Sequence, residues 1–108
     1  MMTESEFNQL VDDRLLAIEE VLDEAETDID YENSGGVLTV TCENGQKVIF
    51  TRQAPVRQLW IAVPFGGFHF DHAEDADGGW VCDADAKPLA QFLTETFEKL
   101  AEETFDFS

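Results

Sequence analysis

Between Glu19 and Glu32 the chain carries eight carboxylates, Glu19, Glu20, Asp23, Glu24, Glu26, Asp28, Asp30 and Glu32, and no basic residue. Carboxylate oxygens are hard ligands that suit divalent cations and Fe(III). The run lacks the D-x-D-x-D-G spacing of an EF-hand loop, so its predicted form is weak, multiple surface sites rather than a closed cage. Like charges four residues apart destabilise a helix by a few tenths of a kcal/mol, and carboxylates near a helix C-terminus oppose its dipole. Solvated faces ordinarily mix signs, so a one-sign ridge points to a cation or a basic protein surface that offsets the repulsion. A merely solubilising face is the alternative.

A second group of residues lies between Thr51 and Val63. Strand alternation puts Leu59, Ile61 and Val63 on one face and Gln58, Trp60 and Ala62 on the other. If the first set faces a core, Trp60 stands on the wet face beside Gln58 and near Arg52 or Arg57. That is the composition of a protein-binding hot spot; a Trp covered by its own neighbours is the bland reading. Arg52, Gln58 and Trp60, together with Glu19, Glu20 and Asp23, are the partner-binding candidates. His69 and Asp71 share a strand face opposite Phe68 and Phe70, with His72 adjacent at the strand end. They offer a weak two-point metal contact, and two ligands do not close a structural site. There is no Gly-rich phosphate loop before a helix, no H-E-x-x-H and no G-x-S-x-G. Nothing marks an enzyme.

The elements that must position these residues follow from periodicity. Thr3 and Glu6 have capping-box spacing, and Phe7, Leu10, Val11, Leu15, Ile18, Leu22 and Ala25 recur at helical intervals. They predict a first helix from about Ser5 to Ala25. Asp12, Asp13, Glu19, Glu20, Asp23, Glu24 and Glu26 fall in the opposite arc, with Leu16 among them. From Ile29 to Cys82 the period becomes two. Turn signals at Ser34-Gly35-Gly36, Glu43-Asn44-Gly45, Ala54-Pro55, Pro64-Phe65-Gly66-Gly67 and Asp77-Gly78-Gly79 divide this region into about six short strands. Such short turns require antiparallel neighbours, hence a meander. Leu38, Val40 and Cys42 mark a dry face, Thr39 and Thr41 a wet one. Pro88 opens a second helix whose stripe is Leu89, Phe92, Leu93, Phe97 and Leu100, with Glu95, Glu98, Lys99 and Glu102 opposite. The predicted fold class is α+β: a two-layer α-β sandwich, two terminal helices on one face of a largely antiparallel sheet.

The 108 residues suit one domain, 1–108. An apolar share of 44% and nine Phe residues argue for a packed core despite a net charge of -18. Six basic residues against 24 acidic ones repel phosphates and anionic lipid, so neither nucleic acid nor membrane is an expected partner. No apolar run reaches the length of about 18 residues that a span needs, and the acidic start is unlike a signal peptide, so a cytoplasmic location is expected. Cys42 and Cys82 lack C-x-x-C spacing and read as small buried residues.

With the acidic first helix come Asp28-Ile29-Asp30, Gly35-Gly36-Val37-Leu38-Thr39-Val40, Glu43-Asn44-Gly45, Arg52-Gln53-Ala54-Pro55, Gln58-Leu59-Trp60-Ile61-Ala62, Gly66-Gly67-Phe68-His69-Phe70-Asp71 and Trp80-Val81-Cys82-Asp83. In order and spacing the chain resembles the bacterial frataxins, the CyaY family. The likeness covers essentially the whole chain, and the Q-x-P-x-x-Q-x-W arrangement of Gln53, Pro55, Gln58 and Trp60 is its most specific part. The resemblance implies an α-β sandwich and weak binding of Fe(II) and Fe(III) on the acidic ridge, other divalent cations being further candidates. It implies contact with the cysteine desulfurase and the scaffold protein of iron–sulfur cluster assembly, and modulation of desulfurase activity, with iron donation and storage as further roles. A monomer is implied, with iron-induced oligomers. An acidic module that binds protein alone, without a physiological iron role, uses the same ridge and remains the alternative. Two places depart from the family pattern. One is the tail, where Phe105 and Phe107 either extend the core or stay loose; the other is the apolar turn at Pro64-Phe65.

Overall fold

A computed structural model describes residues 2–107. The first helix, α1 (Glu4–Leu22), starts where its capping box predicts. The Glu6 amide donates to the Thr3 hydroxyl at 3.1 Å and the Thr3 amide to the Glu6 carboxylate at 3.2 Å. Its buried stripe is Phe7, Val11, Leu15, Ile18 and Leu22, while Leu16 is exposed in the acidic arc. The helix stops at Leu22, short of the expected Ala25. The Ala25 amide already turns to the Leu22 carbonyl, and those of Glu26 and Thr27 donate to the Glu103 carboxylate, each at 2.9 Å. With those amides captured from outside, no further helical turn closes.

Six strands follow: β1 (Asp30–Ser34), β2 (Val37–Thr41), β3 (Lys47–Gln53), β4 (Gln58–Val63), β5 (Gly66–His72) and β6 (Trp80–Cys82). They form one antiparallel meander in sequence order, as the turn spacing predicts. A short 3-10 turn at Ala54–Val56, with Arg57 left-handed at φ 54°, joins β3 to β4. The register aligns Leu38 with Phe50, Phe50 with Ile61, and Leu59 with Phe70, all buried toward the helices. Thr51, Trp60 and His69 line up on the opposite face. The second helix, α2 (Leu89–Ala101), begins after Pro88 and buries Leu89, Phe92, Leu93, Phe97 and Leu100. Both helices cover one side of the sheet and leave the other open.

The tail extends the core. Phe105 and Phe107 are buried against Phe97, with ring centroids 5.9 and 5.5 Å away, and the Arg14 guanidinium donates to the Phe107 carbonyl. Gly78 lets the turn before β6 touch α2, since a Cβ there would lie 2.9 Å from the Ala90 nitrogen. Cys42 and Cys82 are buried free thiols, and burial pushes the Cys42 thiol up. The turn residue Phe65 is half-exposed, edge-on to Phe68, with the Lys99 ammonium 4.5 Å above its ring. Among the described residues no helix is long and apolar enough to cross a membrane.

Candidate binding surfaces

The acidic run meets the edge strand β1 and divides around it. Asn33 and Tyr31 pair with Leu38 and Val40, so they point toward α1. There Asn33 donates to Glu19 at 3.1 Å and the Tyr31 hydroxyl to Asp23 at 2.6 Å. The Asp23 carboxylate, aided by Glu19, pushes the Tyr31 phenol up to about 12. Glu20, Glu24, Glu26 and Asp28 stand exposed on the helix end and the following turn. Asp30 and Glu32 pair with Thr41 and Thr39, which puts them on the outer sheet face. The ridge is therefore two groups of carboxylates on either side of one strand. Among the described residues none of the eight forms an ion pair, and no three His, Cys, Asp or Glu side chains gather as a metal-ligand group.

Leu59, Ile61 and Val63 are buried while Gln58, Trp60 and Ala62 face outward, as alternation requires. The Trp60 indole stacks on the His69 ring, centroids 4.1 Å apart and planes within 16°. Its Nε1–H donates to Gln58 at 3.0 Å, and the Gln58 amide donates to Asp71 at 3.1 Å and Asp83 at 3.2 Å. One Asp83 oxygen is 3.8 Å from His69 Nδ1. The result is a braced plate: an amphipathic ring held flat, with a carboxylate and amide rim.

Two candidates stand elsewhere. Arg52 pairs with Leu59 in register, which turns it to the helix side, away from Trp60. There its guanidinium reaches Asp12 of α1 at 2.7 Å and its side chain is only 19% exposed. It ties β3 to α1, so the expected nearness to Trp60 is corrected by the strand's two-residue period. His72 likewise shares the face of Phe70, edge-on to Trp80 at 5.2 Å, and so is separated from His69 and Asp71. Asp83, which is not among the metal candidates that local periodicity offers, is the nearer carboxylate to His69. Seeing it needs the β5–β6 register, which no local pattern supplies. Tyr31 and Asn33 were legible in principle, as the alternate residues of a strand whose others are acidic.

The molecule thus defines a class: a small α-β sandwich that presents two surface features, an exposed acidic edge and a sheet face on which the partly buried Trp60 is braced. A family profile described as a frataxin-like domain matches residues 1–103. The chain is 46% identical over 103 residues to the iron-sulfur cluster assembly protein CyaY of Azotobacter vinelandii, covering 94% of this chain and 93% of that one. It is 44% identical over 106 residues to the protein of the same name from Pseudomonas fluorescens, covering 98% and 96%. The solved frataxin from Psychromonas ingrahamii superposes with a TM-score of 0.89 at 37% identity, over 99% of each chain. The chain belongs to the frataxin family.

Proposed function

We propose that this protein is an iron-binding regulator of iron–sulfur cluster assembly, which docks on the cysteine desulfurase, modulates its turnover and carries iron as weakly held cargo. The names of its relatives support the pathway. The observation that carries the reading is the one-sign ridge of Glu19, Glu20, Asp23, Glu24, Glu26, Asp28, Asp30 and Glu32, none of which makes an ion pair among the described residues. Dense carboxylates without a cage bind hard cations with water completing each shell, which suits a cargo that must leave. The same field steers a basic partner surface toward the ridge.

Steering alone gives little residence, because exposed charge pairs contribute modestly. Trp60 is the anchor in this reading, with Gln58 holding it and the assembly scaffold or a neighbouring subunit covering it. His69 and Asp71, with Asp83 beside them, form a weaker cation contact, and His72 a separate one on the helix side. The protein acts as a monomer in the cytoplasm, where its two buried thiols remain reduced; iron-induced oligomers belong to high loading of the ridge.

One observation favours the second reading, an acidic module that binds protein alone: Glu19 and Asp23 each have an oxygen engaged by β1, and no three ligands converge among the described residues. Anaerobic Fe(II) titration followed by amide NMR separates the two. The iron reading predicts perturbation from Glu19 to Asp30 at more than one position. A silent ridge with changes confined to His69, Asp71 and Asp83 contradicts the assignment of metal to the ridge, and a silent spectrum leaves the protein-binding module.

A further inference from the structure

Strand β6 is too short for the sheet it ends. It pairs with β5 only from Phe70 to His72, and one more bond, from the Asp83 amide to the His69 carbonyl at 2.9 Å, extends it. The chain then turns back, with the Cys82 amide donating to the Lys87 carbonyl. Gly66, Gly67 and Phe68 are left without a neighbouring strand on that side among the described residues. Above them α2 continues, and the gap between the layers is a cavity of about 310 Å³. Phe68 and Phe92 form its floor, 4.9 Å apart, and half-exposed Phe65 stands at its lip beside Thr96 and Lys99.

We propose that this open edge and cavity receive an extended segment of a partner protein, with one large apolar side chain in the cavity and a carboxylate next to it. Because the His69 carbonyl points to the edge, the strand period turns the Gly67 N–H and C=O the same way, ready to pair with an added strand. Alternate side chains of that strand fall on the helix side, where the cavity is. Its volume is at the lower end of ordinary ligand sites, enough for one side chain. Charge sets the neighbour. Two of the six basic residues of a chain of net charge -18 line this cavity, together with Asp85 and Glu95, so the attraction for an anion rests on Lys99 alone. Lys87 is paired with Glu95 at 2.7 Å, whereas Lys99 lies over the Phe65 ring and makes no ion pair among the described residues. A ligand carboxylate two residues along the strand, on the same face as the inserted side chain, meets Lys99.

The probe is the blocked hexapeptide acetyl-TVFTEV-amide, whose aromatic and acidic side chains share one strand face, titrated to millimolar concentration into the protein and followed by amide NMR. Shifts confined to Gly66, Gly67, Phe68, Phe92, Thr96 and Lys99 are expected. Replacing the peptide's aromatic residue by alanine abolishes them, and Lys99→Glu weakens binding about two- to five-fold, the scale of an exposed ion pair. Two further peptides carry N-methyl groups on alternate amides, one set toward the edge and one away. The first loses binding and the second keeps it. Silence at the edge, shifts at Trp60 and His69 instead, equal binding of both methylated peptides, or 3-phenylpropionate moving the same amides as strongly would each overturn the proposal.

Discussion

A side chain two positions along a strand decides what its neighbour can do. In β1, Tyr31 and Asn33 reach back to Asp23 and Glu19, so two carboxylates of the ridge are oriented while the other six make no side-chain hydrogen bond among the described residues. Tyr31 is the sole tyrosine, which makes its titration readable. Its absorbance midpoint is expected near 12 rather than 10, returning toward 10 in Asp23→Asn. Since folding raises this pKa, its contribution to stability is full below the unfolded value and is lost as pH rises through the folded one, from about 10 to about 12. A wild-type midpoint near 10 would mean the bond does not form. For Trp60, which is stacked but outward, Trp60→Ala leaves the protein folded and costs about 2 kcal/mol of partner binding, mainly as faster dissociation. Melting and binding kinetics check it together; an unfolded variant would assign Trp60 to the core. The outward face of Trp60 was legible from alternation alone. The place of Arg52 was not, because Thr51 rather than Arg52 is the register partner of Trp60, and a one-residue offset along a strand reverses the face.

At the scale of elements, helix starts and strands were legible and helix ends were not. The capping box of α1 is local, whereas its end is set by Glu103, 77 positions from Glu26. Three bonds from the Glu26 and Thr27 amides and the Thr27 hydroxyl hold the Glu103 carboxylate below the usual range. The sign follows: this contribution is present above the unfolded pKa and is lost as pH falls through the depressed folded value. Glu103→Ala should therefore destabilise by about 1–2 kcal/mol at neutral pH and by less in acid, read from denaturant melts at both. An equal loss at both pH values would contradict the charged bond. The tail behaves as an element without regular structure, and Phe107→Ala should cost about 3–5 kcal/mol, as for any large buried ring. Sequence alone left this open, since two aromatic residues after a helix have no period to reveal their side. The acidic residues of β1 have a second consequence. As an edge strand with Asp30 and Glu32 on its outer face, β1 resists edge-to-edge pairing, so Asp30→Thr with Glu32→Thr should increase concentration-dependent association in light scattering.

Over the whole molecule, the sandwich concentrates a net charge of -18 that the unfolded chain disperses. Salt and divalent ions should raise the melting temperature by screening or neutralising it. A cation held at 100 times its dissociation constant adds about 2.7 kcal/mol if it binds the native state alone. A melting temperature indifferent to both would remove the strain argument. The division of labour proposed for the two surfaces, the ridge for iron and steering and the sheet face for anchoring, converges on one outcome in the assembly machinery. The most direct measurement is cysteine desulfurase turnover with and without this protein, each with and without Fe(II), repeated with Glu19, Glu20 and Asp23 reversed to lysine. The account predicts that the protein changes turnover, that iron alters the size of the change, and that charge reversal removes both effects. Turnover that is unchanged by the protein in every arm, or changed equally by the reversed variant, would contradict it.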